Sequence, residues 1–307
     1  MLKLANNYDA SRSLQTLVEN KTSFHSKKAE MHIFETHELS ESVFLKFSDP
    51  VVASMIKGKK VMHLRDTDPF EFLPGESVVL PSNELMCIDF PEAKLDNPTK
   101  CLALAISNEE LENTMLHLNE TKPKLSMDEW TTADYNFHLK NDLAIEQLLQ
   151  RMIYIFTENH SSKDIFLDFI LRELLIRIFQ AENRIRYENN CKALSTHSPM
   201  GYIVNFIKSH LDHKFKISDL ANKAYMSETH FYRVFKNETG LSPIDFINKL
   251  RLEKALQLLK DPNKKIKDIL IETGFDSHSY FNRVFKMAYH ISPTDFIRKT
   301  QGVNVPN

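Results

Sequence analysis

"FYRVFKNETGLSPIDFI", Phe231 to Ile247, returns as "FNRVFKMAYHISPTDFI", Phe281 to Ile297, an imperfect copy displaced by 281 − 231 = 50 residues. The residues around the first copy, "SDLANKAYMSETHFYRVFKNETG", carry two cap candidates, Ser218 before "DLANKA" and Ser227 before "ETHFYRVFK". They predict a short helix, a tight turn at Tyr225 and Met226, and a second helix stopped by Gly240, a residue suited to a left-handed end. Ser242 as N-cap, Pro243 at the first helical position and Asp245 two residues on then open a long helix, "PIDFINKLRLEKALQLLK". The pattern recurs: "IKDILIETG" is stopped by Gly274, Ser277 caps "HSYFNRVFKMA", and Ser292, Pro293 and Asp295 open a last helix. Helix, turn and helix, stated twice, is the helix-turn-helix module.

On a helical wheel Phe231, Val234 and Phe235 gather on one side and must be core. Opposite lie Thr229, Arg233 and Lys236, flanked by Tyr232 and Glu228. In the second copy Phe281, Val284 and Phe285 face Ser279, Arg283 and Lys286, flanked by Asn282 and His278. Such a strip suits a DNA groove, because Arg bonds guanine bidentately, Asn bonds adenine, and Lys neutralises phosphate. The helix from Pro243 to Lys260 would be ~26 Å long at 1.5 Å per residue. It could hold two reading helices about 34 Å apart, one turn of DNA, on one duplex face. The competing reading is that FxxVF is merely core. It holds for the Phe residues and leaves the polar strip unexplained.

Charge is distributed in the same sense. The 307 residues carry a net charge of −2, but Met200 to Gly302 hold 17 Lys+Arg against 11 Asp+Glu, or +6, leaving −8 for the remainder. A basic third beside an acidic body fits a polyanion-binding module attached to a second domain. No apolar run is long enough to span a membrane, and the start has no stretch of signal-peptide length. Cys87, Cys101 and Cys191 lack zinc-type spacing and suit a reduced cytoplasm.

Residues 1–125 read as strands and turns: "ESVFLKFS", "VVASMIKG", "KKVMHLRD", "ESVVLPS", "LMCIDFPE" and "KCLALAIS" are short runs punctuated by Pro and Gly. "FEFLPGESVVLP" reads as strand, turn, strand. An antiparallel sandwich or barrel is expected, the alternative being an α+β domain with some runs helical. Residues 126–190 change to a helical period in "AIEQLLQRMIYIF" and "IFLDFILRELLIRIFQAENRIR", helices that either pack on the strand domain or form a dimer interface. A linker is placed at 191–199, within the polar stretch Tyr187 to Pro199, and the DNA-binding domain at 200–302.

With "LANKAYMSETHFYRVFKNETGLSPIDFINKLRLEKALQLL" and "GFDSHSYFNRVFK…SPTDFI" the C-terminal third resembles the AraC/XylS family of bacterial transcription regulators over about 100 residues. Carried over by position, the resemblance puts groove contacts on Thr229, Tyr232 and Arg233, and on His278, Ser279, Asn282 and Arg283. Two residues depart from the family pattern: His290 stands where Gly is usual, matching Gly240, and Leu270 stands where a small Ala is common. Strain or a different path is therefore expected at the end of the second reading helix. "FEFLPGESVVLPSNELMCIDFPEA" and "PTKCLALAIS" resemble the cupin-like regulatory domain of some such regulators, which implies effector sensing or dimerisation.

Metal is not expected, since His25, His32, His37 and His63 have no HxH spacing. No GxSxG, HExxH or Walker-type motif occurs, so no enzyme and no cofactor are expected. Cys87 and Cys101 read as buried thiols, a redox switch needing an accessible thiol of low pKa, and Trp130 reads as a packing anchor. The expected fold is α+β, a cupin-like β domain with a helical extension followed by an all-α domain of two helix-turn-helix units. The expected function is a cytoplasmic, sequence-specific DNA-binding transcriptional activator, homodimeric and controlled by a small-molecule effector. Promoter DNA is the expected partner, and RNA polymerase the further partner that the resemblance implies. The alternative is a protein-interaction module with a ligand-binding β domain.

Overall fold

The computed structural model describes residues 2–4, 8, 13–65, 67–124, 129–131, 136–194 and 198–301. They form two compact units, one from residues 1–123 and 129–182, the other from 124–128 and 183–307.

The first unit holds two antiparallel sheets. One has the order β1 (Asn20–His25), β2 (Ala29–Thr36), β9 (Thr99–Ile106), β4 (Val51–Lys57), β7 (Glu76–Leu80) and β10 (Phe137–Lys140). The other has the order β3 (Ser40–Lys46), β8 (Leu85–Phe90), β5 (Lys60–His63) and β6 (Phe70–Phe72). Their common core takes Val51, Ala53 and Met55 from β4, Ala103 and Ala105 from β9, and Met86, Ile88 and Phe90 from β8. In β8 burial alternates, as one covered face requires. β2, β4 and β9 are buried almost throughout because Ile33, Val52, Leu102 and Leu104 on their other face are also covered. That is why "VVASMIKG" and "KCLALAIS" show no clean alternation. Gly58 at φ +80° starts the β4–β5 turn, where a Cβ would stand 2.6 Å from Thr99 Oγ1.

Several local expectations are corrected. "FEFLPGESVVLP" is strand, turn and strand, but β6 pairs with β5 and β7 pairs with β4 and β10, so its turn joins two sheets rather than closing a hairpin. β1 and β2 lie in sequence not singled out as strand, and "NEELENTMLHLNET" forms helix α1 (Asn108–Thr121), capped by Ser107. The region read as helical, 126–190, also supplies β10, the edge strand beside β7. Its helices are α2 (Leu143–Thr157), capped by Asp142, and α3 (Lys163–Leu194). Trp130 is buried, its indole N–H donating to the Lys122 carbonyl at 2.8 Å. Cys101 is buried, and burial pushes its thiol up from the usual range, away from the accessible, low-pKa thiol that a redox switch needs. Cys87 is half-buried.

The second unit is helical: α4 (Pro199–Ser209), α5 (Ile217–Lys223), α6 (Glu228–Thr239), α7 (Pro243–Leu258), α8 (Ile266–Thr273), α9 (His278–Tyr289) and α10 (Pro293–Gln301). The linker expected at 191–199 begins inside α3, which stays helical to Leu194; residues 195–197 lie outside the described residues. Ahead of that stretch, α3 is tied into the helical unit by contacts far along the chain. Tyr187 joins the core of the second unit, Asn183 Nδ2 donates to the Glu238 carbonyl at 2.9 Å, and Arg184 donates to the Thr239 carbonyl at 2.7 Å. Two separate cores divide α7. Phe246, Ile247 and Leu250 pack with α4, α5 and α6, whereas Leu252, Ala255 and Leu259 pack with α8 and α9. No helix among the described residues is long and apolar enough to cross a membrane.

Candidate nucleic-acid interface

Each reading helix is built the same way. Ser227 accepts from the His230 amide at 3.3 Å, and α6 ends on Gly240 at φ 72°, ψ −9°. Ser277 accepts from the Tyr280 amide at 3.0 Å, and α9 ends on His290 at φ 59°, ψ 9°. The His290 departure thus resolves as strain on an unchanged path, since the imidazole-bearing residue adopts the left-handed conformation that Gly240 takes freely. Leu270, the second departure, is half-buried against the second core. Ser218 does not cap α5. That helix starts at Ile217 behind Lys216, which gives no side-chain cap. Ser242 and Ser292 do cap their helices, accepting from the Asp245 and Asp295 amides at 3.2 and 3.1 Å, while each hydroxyl donates to the same aspartate's carboxylate at 2.5 and 2.6 Å.

Phe231, Phe235, Phe281 and Phe285 are fully buried, and Val234 and Val284 half-buried against the same cores. On α6, Glu228, Thr229, Tyr232, Arg233 and Lys236 are all exposed. On α9, His278, Ser279, Arg283 and Lys286 are exposed and Asn282 is half-buried. Arg233 lies 3.3 Å from His230 Nδ1, one turn back along the helix. Arg283 instead lies over the Tyr280 ring at 5.1 Å, and the Tyr280 hydroxyl accepts from Asn248 Nδ2 at 2.8 Å. Asn282 Nδ2 meets His278 Nδ1 at 3.2 Å. The structure therefore groups the sequence-predicted residues as one solvent-facing strip on each helix.

The turns before these helices differ. Tyr225 at φ 56° stands two residues before its cap Ser227, and its side chain is 97% exposed. Gly274 at φ 75° stands three residues before Ser277. Sequence reasoning also passed over Arg251, which is 9% exposed in the middle of α7. Its signal was available: Arg251 falls four residues after Ile247 and four before Ala255, so a cation interrupts an apolar row. Burial lowers its pKa from the ordinary guanidinium value, opposed by Asp276, Tyr280 and Asp212.

In the β-sheet unit, a cavity of about 240 Å³ lies among Val52, Val79, Leu111, Leu175, Ile178 and Phe179, with Ser82, Asn108 and Glu182 as polar lining. Among the described residues no group of three or more His, Cys, Asp or Glu is placed to hold a metal.

Comparison with known proteins agrees with this anatomy. The family model for a helix-turn-helix domain matches residues 220–299. The model for the AraC-type transcriptional regulator N-terminus matches residues 28–186, which is 159 of the 307 residues and thus just over half the chain. The HTH-type transcriptional activator Btr of Bacillus subtilis is 36% identical over 80 residues, 26% of this chain and 15% of Btr. The probable transcriptional regulator LumQ of Photobacterium leiognathi is 32% identical over 78 residues, 25% of this chain and 32% of LumQ. The chain thus spans less than a third of the length of these curated relatives. The solved structure of ToxT from Vibrio cholerae covers 88% of this chain and 98% of ToxT at 15% identity and a TM-score of 0.37, values at which the likeness carries no functional argument. By its matched N-terminal half and its helix-turn-helix domain, the chain belongs to the AraC-type transcriptional regulators.

Proposed function

We propose that the protein is a sequence-specific DNA-binding transcription regulator whose helices α6 and α9 enter adjacent major-groove segments. One observation carries the reading. Two structurally equivalent helices each present Arg and Lys in phase, Arg233 with Lys236 and Arg283 with Lys286, on the exposed side opposite buried phenylalanines. Each strip combines groups that can read base edges with one that can neutralise phosphate. The regional charge of +6 counted from the sequence adds sequence-independent attraction to the duplex.

Promoter DNA is the proposed partner and the cytoplasm the proposed compartment. Activation, through contact with RNA polymerase, is the proposed direction of control. For effector control the cavity under α3 offers the site. Its lining is largely apolar with Ser82, Asn108 and Glu182 at hand, which suits a small apolar molecule bearing hydrogen-bonding groups. For a homodimer, exposed Ile165 and Phe169, one turn apart on α3, offer an apolar face.

The test is fragment selection. The full chain is mixed with sheared genomic DNA and competitor, and bound fragments are sequenced. Arg233→Ala should then cost ~1–3 kcal/mol and relax preference at particular base positions. Lys236→Ala should weaken all sequences about equally and flatten the salt dependence. Recovery of no common sequence would overturn the reading in favour of a protein-interaction module.

A further inference from the structure

The two helix-turn-helix units have separate cores, and α7 runs through both. Arg251 sits where those cores part. Its Nε donates to the Leu211 carbonyl at 3.1 Å and its Nη2 to the His213 carbonyl at 2.6 Å, both in the segment between α4 and α5 of the first helix-turn-helix unit. The guanidinium also lies 5.7 Å from the ring of Phe215 in that segment and 5.7 Å from the ring of Phe275, which precedes α9 of the second.

Gly274 completes the contact. A Cβ there would stand 2.3 Å from the Leu211 carbonyl oxygen and 2.7 Å from Arg251 Nη2. The backbone before α9 is thus pressed against the first helix-turn-helix unit more closely than any side chain would permit. Two outer ties follow the same seam: Lys214 pairs with Asp276 at 2.8 Å, and Asn248 bonds the hydroxyl of Tyr280, whose ring lies beneath Arg283.

We infer that Arg251 and Gly274 form a joint that fixes the separation and phase of α6 and α9, so that the protein reads the spacing between its two half-sites as well as their bases. Arg251 is a positioning residue and touches no base. The inference rests on the DNA-binding reading above. Its physical basis is the pitch of DNA, where one added base pair moves a half-site by about 3.4 Å and turns it by about 35°. A single helix passing between two cores leaves the second helix-turn-helix unit able to rock. A buried guanidinium held by two carbonyls and two rings, with a glycine closing the gap, removes that freedom. Arg supplies it because its planar fork presents donors to both carbonyls in fixed directions while lying near two aromatic rings, a geometry that the compact, rotatable ammonium of Lys does not preset.

The experiment uses the full chain and a duplex selected by it from a random pool, with one base pair inserted or deleted between the mapped half-sites. Affinity is read by fluorescence anisotropy for wild type, Arg251→Lys and Arg251→Ala. Wild type should lose about tenfold or more on either change, and Arg251→Ala about threefold or less, with Arg251→Lys between. Base preference inside each half-site should stay as in wild type. Equal weakening of all three duplexes, with the tenfold spacing penalty retained, would overturn the inference and leave Arg251 a stabilising residue only. If Arg251→Ala does not fold, Arg251→Lys and the outer variants Asn248→Ala and Lys214→Ala carry the same measurement. An undiminished spacing penalty in all three overturns it equally. Selection of no duplex by wild type would instead overturn the DNA-binding reading beneath it.

Discussion

Substituting His290→Gly should stabilise the second reading helix. His290 holds φ 59° at the end of α9 with its amide bonded to the Lys286 carbonyl at 2.9 Å, a bond that glycine keeps. A non-glycine residue in this conformation costs about 1–2 kcal/mol, and histidine tolerates it better than most. Glycine gives back part of that gain through its greater freedom in the unfolded chain, about 0.5–1 kcal/mol. The net expectation is a gain of ~0.5–1 kcal/mol, confined to the second unit. Amide exchange followed by mass spectrometry reads it locally, as two- to fivefold slower exchange across α9, at about 1.4 kcal/mol per tenfold. Gly240→His in the first helix-turn-helix unit should produce the reverse in α6. Faster or unchanged exchange in α9 of the His290→Gly chain would refute the strain. In DNA binding, the relaxed cap should tighten the placement of Arg283 and Asn282. Wild type should specify the half-site of α6 more strictly than that of α9, and His290→Gly should narrow the difference. Equal loss of discrimination from Arg233→Ala and Arg283→Ala in wild type would refute the asymmetry.

A fragment beginning at Asn183 should bind selected DNA more tightly than one beginning at Met200, because only the longer one keeps Asn183, Arg184 and Tyr187 against the last turn of α6; equal gel-shift affinities would refute that support. Acid should weaken the first unit through His32. Burial and Lys21 lower its pKa from 6.5 to about 4, against the opposing pull of Glu30, while its ring stacks on Phe47 and meets Ser23 Oγ. Its folded pKa is the lower one, so the contribution is present above pH 6.5 and is lost as pH falls toward 4. The loss is on the order of 3 kcal/mol at most, at 1.36 kcal/mol per unit. Urea midpoints at pH 7 and 4.5 should converge for His32→Gln relative to wild type, and an unchanged difference would count against His32. Removing the cavity with Leu111→Trp should abolish any effector response without loss of DNA binding, and an unaltered response in a folded variant would move the effector site elsewhere.

The reading helices were legible in the sequence because their determinants are local. A cap serine, a glycine stop and apolar residues at three and four spacing act within one or two turns, so Ser227, Gly240, Phe231 and Phe235 announce α6 without reference to anything distant. The repeat at fifty residues did the same for α9, and the wheel alone separated Arg233 and Arg283 from the core. What stayed hidden depends on partners far along the chain. β2, β4 and β9 lack a readable period because a sheet covered on both faces has no polar side. The extension of α3 beyond Arg186, where the sequence reads as polar and aperiodic, is supported by Tyr187, which joins the core of the helical unit and bonds Glu238, some fifty residues later. Arg251 looks like one more basic residue on a long helix. Only the tertiary structure brings the carbonyls of Leu211 and His213, the rings of Phe215 and Phe275, and the bare backbone of Gly274 to the same guanidinium. Local propensity fixes where a helix starts and stops, whereas the distance between two helices is set by what fits in the space between them.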